Sequence, residues 1–275
     1  MKRLFLIPLT VIIIGSLAMY INGVSIIIWS QNILGLIIAM LLSHLVSRNP
    51  KIIGSTYTIT ISILLLLLTF IDLGLEGVHR WVSIGPIKLY IASIVLPILI
   101  IGLWGNLKVV KWWIPTIITI GVSLLLALQP DASQTTAFII PMAIILSCNI
   151  NNVSFRYSLL GVVSLIIILT WKHLDTLVPV AYVEDIVKMV ANMGVVWFAL
   201  GITSLVILPL PFILFPPRNI RLPSICLGIY FMVVLISTLF GNFPVPLMGY
   251  GISPILGYFI AIAWLINAKP DSQIS

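Results

Sequence analysis

The chain has 275 residues, 61% of them apolar and 8% charged, and its 14 Lys and Arg against 7 Asp and Glu leave a net charge of +7. An ordinary soluble domain carries roughly 25% charged residues, so these few charges could not cover a core of this size in water. A soluble enzyme, a disordered chain and a disulfide scaffold are thereby excluded, and the basic charges, scattered singly between apolar runs, suit membrane-flanking loops better than a nucleic-acid surface.

The first run follows Lys2-Arg3 and extends over 4–22. Its start, with Ser16-Leu17-Ala18 beyond, has the outline of a signal peptide. The apolar character continues to Tyr20 and a second run follows almost at once, so the expectation is an uncleaved first span. Further runs lie at 24–46, 52–71, 88–105, 112–128, 135–150, 157–171, 191–214, 222–241 and 248–267. They are continuous rather than alternating, which favours helices over barrel strands. The expected fold is all-α: a polytopic membrane bundle of about ten transmembrane helices, in one domain over 1–275. The sixth and seventh runs are short, so the count lies between eight and ten.

Charge sets the orientation. With the N-terminus inside, Lys2, Arg3, Arg48, Lys51, Lys108, Lys111, Arg156, Arg218, Arg221 and Lys269 face the cytoplasm. Arg80, Lys88, Lys172 and Lys188 stay outside, and this bias predicts both termini inside. The acids divide the other way. Asp72, Glu76, Asp131, Asp175, Glu184 and Asp185 fall outside, leaving only Asp271 inside, so the outer face concentrates any functional carboxylates. Cys148 and Cys226 form no framework, and His44, His79 and His173 sit in three separate loops without metal-ligand spacing.

Three outer segments carry polar residues near membrane depth, where burial is costly and function is the default suspicion. The first runs from Leu75-Glu76-Gly77 through His79-Arg80-Trp81 to Gly85-Pro86 and also reads as an interfacial connector with a Gly-Pro turn. The second is Gln129-Pro130-Asp131, where Asp131 could simply cap the next helix. The third is Val178-Pro179-Val180-Ala181-Tyr182-Val183-Glu184-Asp185, where Glu184 and the following Lys188 could form a surface i,i+4 pair. Ser30-Gln31-Asn32 in the second span reads as structural, paired with other helices.

These segments together resemble the SEDS family (FtsW, RodA, SpoVE). Arg80-Trp81 matches that family's R-R-W loop, Gln129-Pro130-Asp131 the start of its Q-P-D-L-G-T, and Pro244 through Ser253, with Pro246, Tyr250 and Gly251, its P-x-P-F-x-S-Y-G-G-S. The order and helix boundaries also agree, over nearly the whole chain. The resemblance implies ten helices with both termini inside, in the bacterial cytoplasmic (inner) membrane. It implies a peptidoglycan glycosyltransferase of cell division or cell shape that polymerises a lipid-linked disaccharide at the outer face. Its partners would be the polyprenyl-diphosphate-linked substrate, a penicillin-binding transpeptidase and membrane lipid, with no nucleic acid.

The family's essential Asp, in P-E-x-H-T-D, aligns with Glu184. Departures accompany the match. The P-S-E stretch reads Ile91-Ala92-Ser93 and lacks its Glu, Ala132-Ser133-Gln134 replaces Leu-Gly-Thr, Tyr182 replaces the His, and the large outer loop shrinks to 172–190.

The implied mechanism has Glu184 as general base, with Asp185 as its neighbour in register, and cations on the departing diphosphate. Arg80 is favoured there, since its planar fork suits phosphate oxygens, with Lys88, Lys172 and Lys188 as the other outer cations available and Trp81 beside Arg80. Of these, Lys88, Lys188 and Trp81 join Arg80 as candidate substrate-binding residues. Asp131 would orient Arg80 or help a divalent cation, Mg or Mn, to bridge the diphosphate; no purely protein-held metal site is expected. Two other classes stay open: a non-catalytic scaffold for a cell-wall synthase, favoured by the degraded motifs, and a lipid or solute transporter.

Overall fold

The computed structural model describes residues 2–49, 52–85 and 87–268, and the side chains from Leu4 onward within them. Pro86, Lys51, Lys269 and Asp271 lie outside the described residues, so the Pro of the Gly-Pro turn and part of the inner charge set are not placed. A 3-10 turn leads into α1 (Leu6–Ile21), followed by α2 (Ile26–Arg48) and α3 (Thr56–Leu68). A hairpin of β1 (Trp81–Ile84) and β2 (Ile87–Tyr90) then precedes α4 (Ile91–Asn106), α5 (Trp113–Leu128), α6 (Ala132–Ser147) and α7 (Val153–Lys172). The short α8 (Ile186–Asn192) enters α9 (Val195–Ile207) and α10 (Leu210–Leu214), and α11 (Arg221–Ser237) and α12 (Ile252–Asn267) close the chain.

Each of the ten expected runs corresponds to one of these helices, or in one case to a pair. The eighth run is split. Pro209 has no N–H to continue α9, and the Leu208 carbonyl at the break accepts the Tyr258 hydroxyl at 2.8 Å. The fourth run is corrected at its start: residues 88–90 are β-strand, paired antiparallel from Trp81 opposite Tyr90 to Ile84 opposite Ile87. Local apolarity could not separate the two, because a short apolar strand and a helix start look alike in sequence. Gly85 sits at φ 59° in the two-residue hairpin turn, a backbone conformation that other residues rarely adopt. α8 was not expected as an element of its own.

By length and composition alone, Ile26–Arg48, Val153–Lys172, Val195–Leu214 and Arg218–Ser237 could each cross a membrane. Among the described residues, six shorter apolar helices accompany them. A helix of 16 residues such as α4 rises about 24 Å, somewhat short of a hydrocarbon core, and turns at its ends complete the distance.

The buried centre is α12, enclosed from Ile252 to Leu265 and packed on α2 and α4. α11 packs on α6, and α3 on α4. Phe212, Tyr230, Phe231 and Tyr258 form an aromatic cluster where α10, α11 and α12 meet. The perimeter, by contrast, exposes Ile13, Ile27, Leu41, Ile61, Ile117, Ile168 and Val196. Water would not tolerate so much apolar surface, whereas lipid does. The chain is thus a multi-pass helical membrane bundle.

Helices alternate in direction, so the connections fall at two ends. The described acids, Asp72, Glu76, Asp131, Asp175, Glu184 and Asp185, all lie in connections at one end. Arg48, Lys108, Lys111, Arg156, Arg218 and Arg221 lie at the other.

Candidate functional site

At the acidic end a cavity of about 300 Å³ opens between the hairpin, the α7–α8 connection and the 244–254 segment. Its walls carry Glu184, Lys88, Trp81, Tyr182, Tyr250 and Ser253, with Leu75, Val178 and Pro244 as apolar neighbours. Glu184 and Lys88 are the ionisable acid and base among these walls.

The Glu184 segment is positioned by main-chain bonds to the loop before α12. The Tyr250 amide donates to the Tyr182 carbonyl at 2.8 Å, and the Val245 amide to the Val183 carbonyl at 3.2 Å. Gly249 permits the approach, since a Cβ there would stand 2.6 Å from the Val183 oxygen. α2 holds the same loop from its other side. Asn32 donates to the Gly249 carbonyl at 3.2 Å and accepts from the Gly251 amide at 3.0 Å, while Gln31 accepts the Tyr250 hydroxyl at 2.8 Å. The Gln31-Asn32 pair, read in sequence as structural, thus positions the cavity wall.

The hairpin brings in the opposite wall. Asp72 accepts the Ser83 amide at 2.8 Å and the Gly74 amide at 3.2 Å, and these bonds, that from Ser83 foremost, hold its carboxyl below the usual carboxylate range. Trp81 and Tyr90 pack with ring centres 6.3 Å apart, and the Ser253 hydroxyl accepts the Tyr90 amide at 2.9 Å. Lys88, exposed on β2 opposite Ser83 and close enough to Asp72 for its charge to act on that carboxylate, lines the cavity from this wall.

Glu184 is half-buried, and one carboxylate oxygen accepts the Val180 amide at 2.7 Å. Burial pushes its carboxyl above the usual value, and the bond from Val180 opposes that shift.

Arg80 and Asp131 occupy a different place from the one expected of a diphosphate site. Arg80 is 3% exposed and Asp131 fully buried, and neither lines the cavity. The Arg80 guanidinium bonds the Asp175 carboxylate and the Pro130 carbonyl, and its Nε lies 3.7 Å from Asp131 Oδ2. The Phe243 ring covers it, 5.8 Å from Cζ to ring centre. Asp131 also accepts the Tyr90 hydroxyl and, as the sequence suggested, caps α6 by accepting the Gln134 amide at 3.1 Å. Burial raises the Asp131 carboxyl, with Arg80 acting against that rise. Of its two expected roles, orienting Arg80 fits this geometry. Holding a divalent cation does not, because its oxygens already face the guanidinium, a phenol and an amide. Among the described residues no group of three His, Cys, Asp or Glu could hold a metal.

Asp185 and Lys188 pair with each other at 2.8 Å, away from the cavity, and Lys188 is 78% exposed. The surface pair anticipated for Glu184 therefore belongs to Asp185. Gln129 donates to the Thr69 hydroxyl at 2.8 Å and to the Leu66 carbonyl, fastening the Gln129-Pro130-Asp131 turn to α3. The Pro246 carbonyl accepts the Met248 amide at 2.8 Å inside the loop before α12. Sequence reasoning counted Asp175 only among the outer acids. Its position in the shortened outer segment was the available signal, and its partner could not be read from it.

No protein-family model and no curated protein matches the sequence. Among solved structures, the rod shape determining protein RodA of Thermus thermophilus superposes with a TM-score of 0.71 at 19% identity, over 97% of this chain and 95% of that one. An aspartate-to-alanine mutant of it superposes with 0.71 at 18%, over 97% and 96%. A structure concerned with polymerization and crosslinking by a peptidoglycan synthase complex gives 0.66 at 18%, over 97% of both chains. The helix order, the buried α12 and the acidic-end cavity are therefore laid out on the fold of RodA, from one end of the described chain to the other.

Proposed function

We propose that the protein is a glycosyltransferase of cell-wall synthesis that polymerises a lipid-linked disaccharide at the outer face of the bacterial cytoplasmic membrane. The observation that carries this reading is the shared cavity of Glu184 and Lys88 at the acidic end of a RodA-like bundle. Glu184, as a carboxylate, takes the proton from the attacking hydroxyl, a contribution of about 10²–10⁴ in rate. Lys88 faces the departing diphosphate, where negative charge develops. The apolar Leu75 and Val178 stand at the exposed rim and give the polyprenyl tail a way into lipid. Arg80, with Asp131 and Asp175, holds the walls from behind. A divalent cation would arrive with the diphosphate, and no step is assigned to it. A penicillin-binding transpeptidase is the proposed partner, by analogy with the synthase complex of similar fold.

The test uses the purified protein, a fluorescent lipid-linked disaccharide-pentapeptide and a gel that resolves glycan chains, with and without such a partner. Wild type forms polymer and Glu184→Gln forms none. Normal polymer from Glu184→Gln would overturn the role of Glu184.

A second reading, a non-catalytic scaffold, is favoured by one observation: three of the outer charged groups, Arg80, Asp131 and Asp175, are bound to one another. On that reading neither protein forms polymer, and Glu184→Gln still complements a deletion.

A further inference from the structure

The basic end of the bundle has a cavity of its own, of about 540 Å³, between the end of α4 and the start of α11. Trp104 and Lys108 form one wall, and Arg218, Arg221, Leu222 and Pro223 the other. The chain makes this shape for a local reason. α10 stops at Leu214, Pro216 and Pro217 offer no N–H to prolong it, and a 3-10 turn over Arg218–Ile220 runs directly into α11. Arg218 and Arg221 consequently emerge one turn apart on the same rim. Lys108 approaches from α4 with its ammonium 4.2 Å from the centre of the Trp104 ring, a cation–π contact that holds it beside the opening.

Three cations converge here, and all three are exposed. Among the described residues every ion pair and every acid lies at the opposite end of the bundle. No described carboxylate therefore answers these cations. Leu222 and Pro223 add an apolar wall directly beside them, so the cavity matches an amphiphile whose anion is next to a hydrocarbon part. Guanidinium groups bind phosphate oxygens two at a time, and basic pockets between helices on the cytoplasmic side suit lipid headgroups. The positive-inside rule assigns this end to the cytoplasm.

We propose that this cavity binds the phosphodiester headgroup of an anionic phospholipid from the leaflet that meets the basic end. The site is separate from the Glu184 cavity, and its occupancy does not depend on the enzymatic reading. Bound lipid fills the space between α4 and α11 and sets its single negative charge among Lys108, Arg218 and Arg221, offsetting part of their mutual repulsion.

The experiment uses delipidated full-length protein titrated with phosphatidylglycerol or phosphatidylcholine, with bound lipid counted by native mass spectrometry. Wild type retains one phosphatidylglycerol and does not retain phosphatidylcholine. Arg218→Gln with Arg221→Gln weakens retention by about 25-fold, at about fivefold for each cation removed. Arg48→Gln with Lys111→Gln, two exposed cations of the same end outside the cavity, changes it by less than about twofold. Lys108→Gln alone weakens it by about fivefold and decides the matter should the double variant misfold. Equal retention of phosphatidylcholine would overturn the proposal. So would equal weakening by the Arg48 and Lys111 variant, which would reveal only a diffuse surface field. Displacement of the lipid by an equal concentration of inorganic phosphate would assign the cavity to a soluble anion instead.

Discussion

The Tyr250 amide donates to the Tyr182 carbonyl over 2.8 Å, and this bond fixes the connection that carries Glu184 to the loop that opens α12. Their rings meet edge-on, with centres 6.0 Å apart, on the wall of the same cavity. A main-chain anchor of this kind holds a carboxylate in place without using any side chain that the chemistry needs. The tolerance of the site to mutation follows from it.

Glu184→Gln keeps the shape and the Val180 bond partner but removes the negative charge. Polymerisation in the gel assay is expected to fall by about 10²–10⁴, with the thermal unfolding midpoint in detergent unchanged. Because burial raises the Glu184 carboxyl, the base is protonated at a pH where an exposed Glu would still be ionised. Activity should therefore fall with decreasing pH through a single acidic limb lying above the ordinary Glu value, and rise to a plateau above it. A pH profile of kcat/KM checks both the sign and the position.

Lys88→Gln should act on binding of the diphosphate. A charge-assisted bond contributes about 1.5–3 kcal/mol, or roughly 10–100-fold in kcat/KM for the lipid-linked donor. Lys88→Arg restores most of it, since the charge returns on an exposed strand position with room for a longer side chain. Steady-state kinetics of the three proteins would show the loss and the rescue; if Lys88→Gln were kinetically silent, the diphosphate must be held elsewhere.

Arg80→Ala is expected to destabilise the protein by about 3–5 kcal/mol, because it leaves the buried Asp131 and the nearly buried Asp175 without their cation. The fall in unfolding midpoint should be seen with no substrate present. A folded, equally stable Arg80→Ala that fails only in turnover would instead return Arg80 to the diphosphate.

Gly249→Ala places a methyl group 2.6 Å from the Val183 carbonyl oxygen and must push the Glu184 segment outward. Overpacking of this sort costs about 1–3 kcal/mol. Asn32→Leu acts on the same loop from α2 by stripping partners from the Gly249 carbonyl and the Gly251 amide, at about 1–3 kcal/mol for each buried group left unpaired. Both variants should lower kcat while leaving Lys88-dependent donor binding less affected, a split that steady-state assays on stable protein would resolve.

The amino-acid sequence by itself determined the solvent of this protein and the order of its spans. A chain with so few charges among long apolar runs has to satisfy its backbone inside helices and turn its outer surface to lipid, and the alternation of those helices gathers Asp131, Asp175 and Glu184 at one end and Arg218 and Arg221 at the other. The turn at Gly85 and the Asp131 cap were equally legible, because each depends on neighbours close in the chain. Only the tertiary structure decided which charges share a cavity. Arg80 sits beside Trp81 in sequence, yet Asp175, Pro130 and Phe243 arrive from three other segments to bury it, while Lys88, a few residues further along the same hairpin, is left exposed on the wall of the cavity that also holds Glu184. Side-chain burial is set by whichever helices pack nearby, and that packing is long-range: the spacing of residues along one segment carries no record of it.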